Sequence, residues 1–290
     1  MSLNEELKKT RPNLSELSVK AYSSTLRNLY KKVFGEGQIK LSNFKKHKEI
    51  LNFLKDVIPQ KRKSILSALV VLTDKDEYRK LMSDDINAYN DIVKTQEKSD
   101  KTEKAWVTQD QIKKKLNALK KEATKLYDDE KPSMNKLNKI QDYVILSLYY
   151  YIAPRRLLDY TEMMKKGKND DKNYIDGNEF VFNRFKGSSS KEQQRIKIPK
   201  ELMKILDEWI EINPTDYLLF DSNGKQLNPV KLNQRLNKIF DKKTSVNALR
   251  KSYLTEKYGD MINKNKEMNE TFEDMGSSSK QFDVYVKKED

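Results

Sequence analysis

The chain has 290 residues, enough for two domains with a core each, and carries 58 Lys and Arg against 44 Asp and Glu, a formal charge of +14. That excess suits a polyanion or an anionic membrane surface, and charge by itself does not choose between them. Cysteine is absent and histidine occurs once, as His47 in a basic run, which removes disulfides and thiolate sites and leaves little room for histidine metal sites or a Ser/His/Asp triad.

The first residues, MSLNEELKKTRP, lack the apolar segment of a signal peptide. Tyr143–Ala153, the longest apolar stretch, is about half a membrane span and reads as a buried helix. The expected location is therefore inside a cell, cytoplasm or nucleus, with no membrane partner.

Eight glycines and seven prolines leave long segments free for helices. Tyr22, Leu26, Leu29, Tyr30 and Val33 recur at helical spacing, and Gly35 stops that helix. Further helices are predicted over about 47–57, 61–72 and 76–94, the third helix beginning with Lys61, Arg62 and Lys63. These three cations are candidate phosphate contacts or a solvated basic face, two readings of equal weight. Residues 96–105, QEKSDKTEKA, contain almost nothing that packs and read as an exposed linker between a helical domain at 1–95 and a larger one at 106–290.

At Thr108 the order Thr-Gln-Asp-Gln resembles a capping box and opens a helix to about Tyr127, followed by one over about 134–151. The period then changes. Glu179–Phe185 and Gln194–Ile198 read as two strands joined by the turn KGSSSKEQ, with Pro199 ending the pair. Helices resume at about 200–212, 228–240 and from 246.

Four segments of the second domain hold the chemistry. In Ala153-Pro154-Arg155-Arg156-Leu157-Leu158-Asp159-Tyr160 the proline suits the first turn of a helix, placing both arginines near free backbone N–H groups. Lys186 is predicted at the hairpin tip, and Asn247-Ala248-Leu249-Arg250 early in a helix, with Lys251 beside it. Met275-Gly276-Ser277-Ser278 precedes Tyr285 near the last residue. Singly, each has an ordinary explanation: a surface arginine, a hairpin lysine, one tyrosine among fifteen.

Their order resembles that of the tyrosine recombinases, or lambda-type integrases. That family has an Arg-x-x-Glu/Asp helix, a hairpin lysine, a His-x-x-Arg helix, a Leu-Gly-His segment and a terminal tyrosine. Arg156-x-x-Asp159, Lys186, Asn247-x-x-Arg250, Met275-Gly276-Ser277 and Tyr285 stand in those places. The likeness spans about 14–288, and the Pro-Arg-Arg-x-x-Asp-Tyr wording is similar to integrases of large DNA viruses and their mobile elements.

The resemblance implies a mainly α fold with a small antiparallel β-sheet, a two-domain DNA clamp of helical core-binding domain plus catalytic domain. It implies a recombinase or integrase that cuts and rejoins DNA through a 3′-phosphotyrosine. Double-stranded DNA is the partner, and the chain works as a dimer or tetramer on it, with no cofactor, no metal and no small-molecule substrate. Arg156 and Arg250 would clamp the phosphate, Tyr285 attack it, and Lys186 protonate the leaving 5′ oxygen. Arg156 is preferred to Arg155 because it sets Asp159, Tyr160 and Met163 at the family helix's positions; Arg155 stays a phosphate-contact candidate, as does Lys251.

Two family histidines are replaced, by Asn247 and Ser277, side chains that hydrogen-bond a phosphate oxygen but do not shuttle protons near neutral pH. Proton transfer from Tyr285 is then expected to reach water or substrate, giving a slow enzyme. Type IB topoisomerases share the Arg/Lys/Arg/Tyr set and relax supercoils as monomers. The small helical first domain favours a recombinase over that alternative. The two replaced histidines also keep open a DNA-binding protein with a weakened catalytic centre.

Overall fold

The computed structural model describes residues 2–129, 131–167, 171–186 and 192–287. The chain divides into two compact units between Lys98 and Ser99.

The first unit is all helical: α1 Leu3–Thr10, α2 Glu16–Phe34, α3 His47–Leu54, α4 Pro59–Thr73 and α5 Asp76–Lys94, with a 3-10 turn at Leu41–Lys45. Ser15 caps α2 by accepting from the Ser18 N–H, and Gly35 at φ 85° ends it, a conformation that costs glycine nothing. Pro59 opens α4, where its missing N–H is no loss. Leu26, Phe44, Ile50, Leu54, Leu66 and Leu69 are fully buried, and the Tyr78 hydroxyl donates to the Phe44 carbonyl at 2.8 Å in the same core.

Arg62, one of the three candidate cations, is paired inside the first unit. Its guanidinium forks onto Asp85, Nε–Oδ2 2.8 Å and Nη2–Oδ1 2.5 Å, with the carboxylate side chain 4% exposed. The pair ties α4 to α5, and it leaves Arg62 no free face. Lys63 lies over the Tyr89 ring at 4.5 Å, and Lys61 is exposed.

The second unit opens with α6 Asp100–Ala105, so part of the expected linker is folded: the Ser99 hydroxyl caps the helix, and the Thr244 hydroxyl donates to the Ala105 carbonyl at its other end. It continues with α7 Gln109–Tyr127, α8 Met134–Tyr150 and α9 Leu157–Thr161. The capping box at Thr108 forms as its sequence suggests, with Gln111 reaching back to the Thr108 N–H. Helix α8 is the centre of the core: Ile140, Val144, Ile145, Leu146 and Leu148 are fully buried.

Four strands follow, β1 Met163–Met164, β2 Asn173–Asp176, β3 Glu179–Phe182 and β4 Gln194–Lys197, in that spatial order. The β2–β3 and β3–β4 pairs are antiparallel, but β1 pairs with β2 in parallel. The sheet is therefore mixed, not antiparallel as expected, because the short β1 runs alongside β2 in the same direction. Strand β3 stops at Phe182, and most of the predicted turn, 187–191, lies outside the described residues.

The remaining helices are α10 Lys200–Ile212, α11 Pro229–Phe240, α12 Val246–Tyr258, α13 Met261–Asp274 and α14 Phe282–Tyr285. Buried Gln141 of α8 holds the chain entering α11 by exchanging two hydrogen bonds with the Phe220 backbone, at 2.7 and 2.9 Å. Trp209 stacks on Phe220 and donates to the Leu218 carbonyl. No helix among the described residues is long and apolar enough to cross a membrane.

Removing Arg62 leaves a buried carboxylate unpaired. Arg62→Ala is expected to destabilise the first unit by about 3 kcal/mol, and Lys61→Ala by less than about 0.5 kcal/mol, measured by urea unfolding. Equal small effects would show that the pair contributes little.

Candidate functional site

The site begins with the first turns of α12. The Ser245 hydroxyl accepts from the Ala248 N–H and fixes the start of the helix, so Asn247, Arg250 and Lys251 project from its opening turns. Leu249 and Val246 face the core at 0% and 1% exposure, which leaves Asn247 and Lys251 exposed and Arg250 half-buried.

Arg250 then reaches across the fold. Its Nε donates to the Pro154 carbonyl at 3.2 Å, two residues before Arg156. The buried Tyr149 hydroxyl, whose pKa is pushed well above its usual value by burial and by its neighbours Tyr160 and Asp159, is pulled back by the charge of Arg250. Arg250 thus lies at the base of α9.

The arginine pair itself differs from expectation. Pro154 does not start a helix: Arg156 is the extended residue before α9, at φ −74° and ψ 160°, and the first helical residue is Leu157. Arg156 is exposed, and its side chain has no partner among the described residues. Arg155 is the reverse. Its Nε donates to Asp159 Oδ2 at 2.6 Å and its Nη1 to Gln194 Oε1 at 2.9 Å, while its guanidinium lies 3.8 Å from the centre of the Phe182 ring. With its side chain 15% exposed, Arg155 is committed to these internal partners.

Lys186 is exposed in the turn leaving β3. A residue invisible to sequence reasoning sets its approach: fully buried Asn173 donates to the Asp159 and Arg184 carbonyls, each at 2.9 Å, and accepts from the Arg184 N–H at 2.8 Å. No signal in one sequence separates this asparagine from the polar residues around it.

Around Arg250 an open cleft of about 560 Å³ is lined by Lys101, Ser245, Asn247, Lys251 and Leu254 among others. Its lining holds three cations and no carboxylate, a setting that favours an anion. Lys251 Nζ also stands 3.4 Å from the Thr102 hydroxyl. A larger cavity, about 1150 Å³, lies beside α10 and includes Asp128, Asp129, Glu201, Glu208 and Glu211, which makes it a poor receptor for a polyanion. Among the described residues, no group of three or more acidic, histidine or cysteine side chains is placed to hold a metal ion.

The C-terminal residues form a separate cluster. At the end of α13 the Ser277 N–H donates to the Phe272 carbonyl and the Gly276 N–H to that of Glu273, with Gly276 at φ 65°. These are the two bonds of a Schellman stop, so Met275-Gly276-Ser277 is explained as a helix terminus. The Ser277 hydroxyl lies 3.3 Å from Gln281 Oε1. Tyr285, 55% exposed, rests edge-on against Phe272 at 6.2 Å, and its hydroxyl has no hydrogen-bond partner among the described residues. The structure therefore joins Arg250 to the Arg156 segment. It gives Ser277 and Tyr285 contacts within their own C-terminal arm, and none to the arginines among the described residues.

No family model matches the sequence, and no curated protein matches it. Among solved structures the chain is similar to a "lambda integrase(75-356) dimer bound to a COC' core site", at 14% identity and a TM-score of 0.45, over 89% of this chain and 87% of that one. At this identity and score the likeness assigns neither family nor activity.

The helix stop generates its own test. Gly276→Ala forces a side chain into the left-handed region and is expected to cost about 1 kcal/mol of stability, whereas Ser277→Ala costs less than about 0.5 kcal/mol, read by thermal unfolding. A larger loss at Ser277 than at Gly276 would contradict the assignment.

Proposed function

We propose that this chain is a DNA strand transferase of the site-specific recombinase type, working through a covalent tyrosine link. The observation that carries the reading is the Arg250–Pro154 bond: it brings a guanidinium from α12 to the backbone just before Arg156, and Arg250 lines a cleft that holds three cations and no carboxylate. In this reading both guanidiniums turn onto one phosphodiester, whose non-bridging oxygens gain charge in the transition state.

In this scheme Arg156 and Arg250 hold the non-bridging oxygens, and Asn247 adds a neutral hydrogen bond. The Tyr285 oxygen bonds to phosphorus as the P–O5′ bond breaks, the phenol proton leaving to water. Lys186 delivers a proton to the departing O5′, and the 3′-phosphotyrosine stores the bond for rejoining. Ser277, bonded within its own arm, is assigned at most a contact to the same phosphate. Lys251, Lys61 and Lys63 are proposed to meet the DNA backbone, and the two units to close on one duplex from either side, with a second copy supplying the partner site.

A nicked suicide duplex, taken from DNA flanking the element that encodes the chain, tests the scheme. A denaturation-resistant protein–DNA adduct is expected with the native chain and none with Tyr285→Phe. An adduct that survives Tyr285→Phe contradicts the nucleophile, and no adduct from the native chain leaves a DNA binder. Recombination of two sites, with little relaxation of supercoils, separates a recombinase from a topoisomerase.

A further inference from the structure

We propose that Arg155 is a positioning residue for Lys186, holding the proton donor in register with the phosphate-binding Arg156 next door. This rests on the role given to Lys186 above and adds what sets its place.

The geometry is a bridge with three footings. One is Asp159, on the helix that Arg156 opens, at 2.6 Å. The second is Gln194, the first residue of β4, at 2.9 Å. The third is Phe182, the last residue of β3, whose ring lies 3.8 Å from the guanidinium, with Phe185 further along at 5.8 Å. Phe182 and Gln194 are paired across the two strands, so Arg155 sits at the mouth of the connection that carries Lys186.

Asn173 secures the other side. It bonds the Asp159 carbonyl and both backbone groups of Arg184, two residues before Lys186. Asp159 therefore anchors the lysine's chain twice, once through its carboxylate and once through its carbonyl. These links fix both ends of the connection from which Lys186 projects.

Stability alone is a weak reason for such a strut, because a buried ion pair is often no more stabilising than apolar side chains of the same volume. Placement is the stronger reason. Lysine cannot substitute: an ammonium has neither the fork for Asp159 and Gln194 nor a flat face for Phe182.

The test replaces the bridging 5′ oxygen of the scissile phosphate with sulfur. A thiol is far more acidic than an alcohol, so a thiolate leaves without a proton and the need for Lys186 disappears. Arg155→Lys is expected to slow cleavage of the ordinary duplex about a hundredfold, with KM changed little. The sulfur duplex should be cleaved within a few-fold of the native rate, matching the pattern of Lys186→Ala. Gln194→Ala, which strands no charge, should show a smaller loss with the same rescue and covers the case in which Arg155→Lys fails to fold. Equal losses on both duplexes, in either folded variant, overturn the positioning role. If Lys186→Ala itself is not rescued by sulfur, the proton-donor assignment fails, and the two failures are told apart by that arm.

Discussion

The site depends on one hydrogen bond, from Arg250 Nε to the Pro154 carbonyl. Residues nearly a hundred positions apart meet there, and Arg250 is brought to the chain just before Arg156. Arg155 spends its charge on Asp159, whereas Arg156 has no acidic partner among the described residues and Arg250 donates only to a neutral carbonyl. Arg250 shares a cleft with Lys101 and Lys251 and no carboxylate, and like charges gathered without counter-charge are preorganised for an anion. Buried Tyr149 near Arg250, its hydroxyl without a hydrogen-bond partner, cannot neutralise it, because burial keeps the phenol protonated.

Arginines in this chain divide by what surrounds them. Arg62 forks onto Asp85 in the first unit. Arg235 bonds Asp142 at 2.6 Å and Asn138 Oδ1 at 2.9 Å in the second; burial raises the Asp142 pKa and Arg235 works against that rise. Arg155 belongs with them. Each uses a planar fork to organise an interior carboxylate, which lysine does poorly. In sequence these three look no different from Arg156 and Arg250. The partners that claim them lie between 4 and 93 residues away, so local spacing reveals the claim only for Arg155 and Asp159.

Much of the fold was legible because its long helices carry apolar residues at a helical period, with a stop at Gly35 and starts at the capped Thr108 and at Pro59. The misses have physical causes. Strand β1 is two residues long and β2 four, too short for alternation to register. Helix α13 buries only Phe272, so its pattern was faint. Pro154 invited a helix start, but Arg156 is extended and the helix begins at Leu157. Of the candidate site, the residue types and their order could be read. The distinction between a free arginine and a committed one could not.

The central claim is that Arg156 and Arg250 grip one phosphate while Tyr285 and Lys186 attend opposite sides of it. Vanadate joins a tyrosine oxygen and a DNA 5′ end in a five-coordinate centre that imitates the transition state, so a structure of the chain with cleaved duplex and vanadate addresses the claim directly. The account predicts both guanidiniums within hydrogen-bond distance of the same vanadium-bound oxygens, with Tyr285 and the 5′ oxygen at the two apices and the Lys186 ammonium on the latter. A vanadate centre with either arginine turned away, or with a different side chain at the apex, would contradict it.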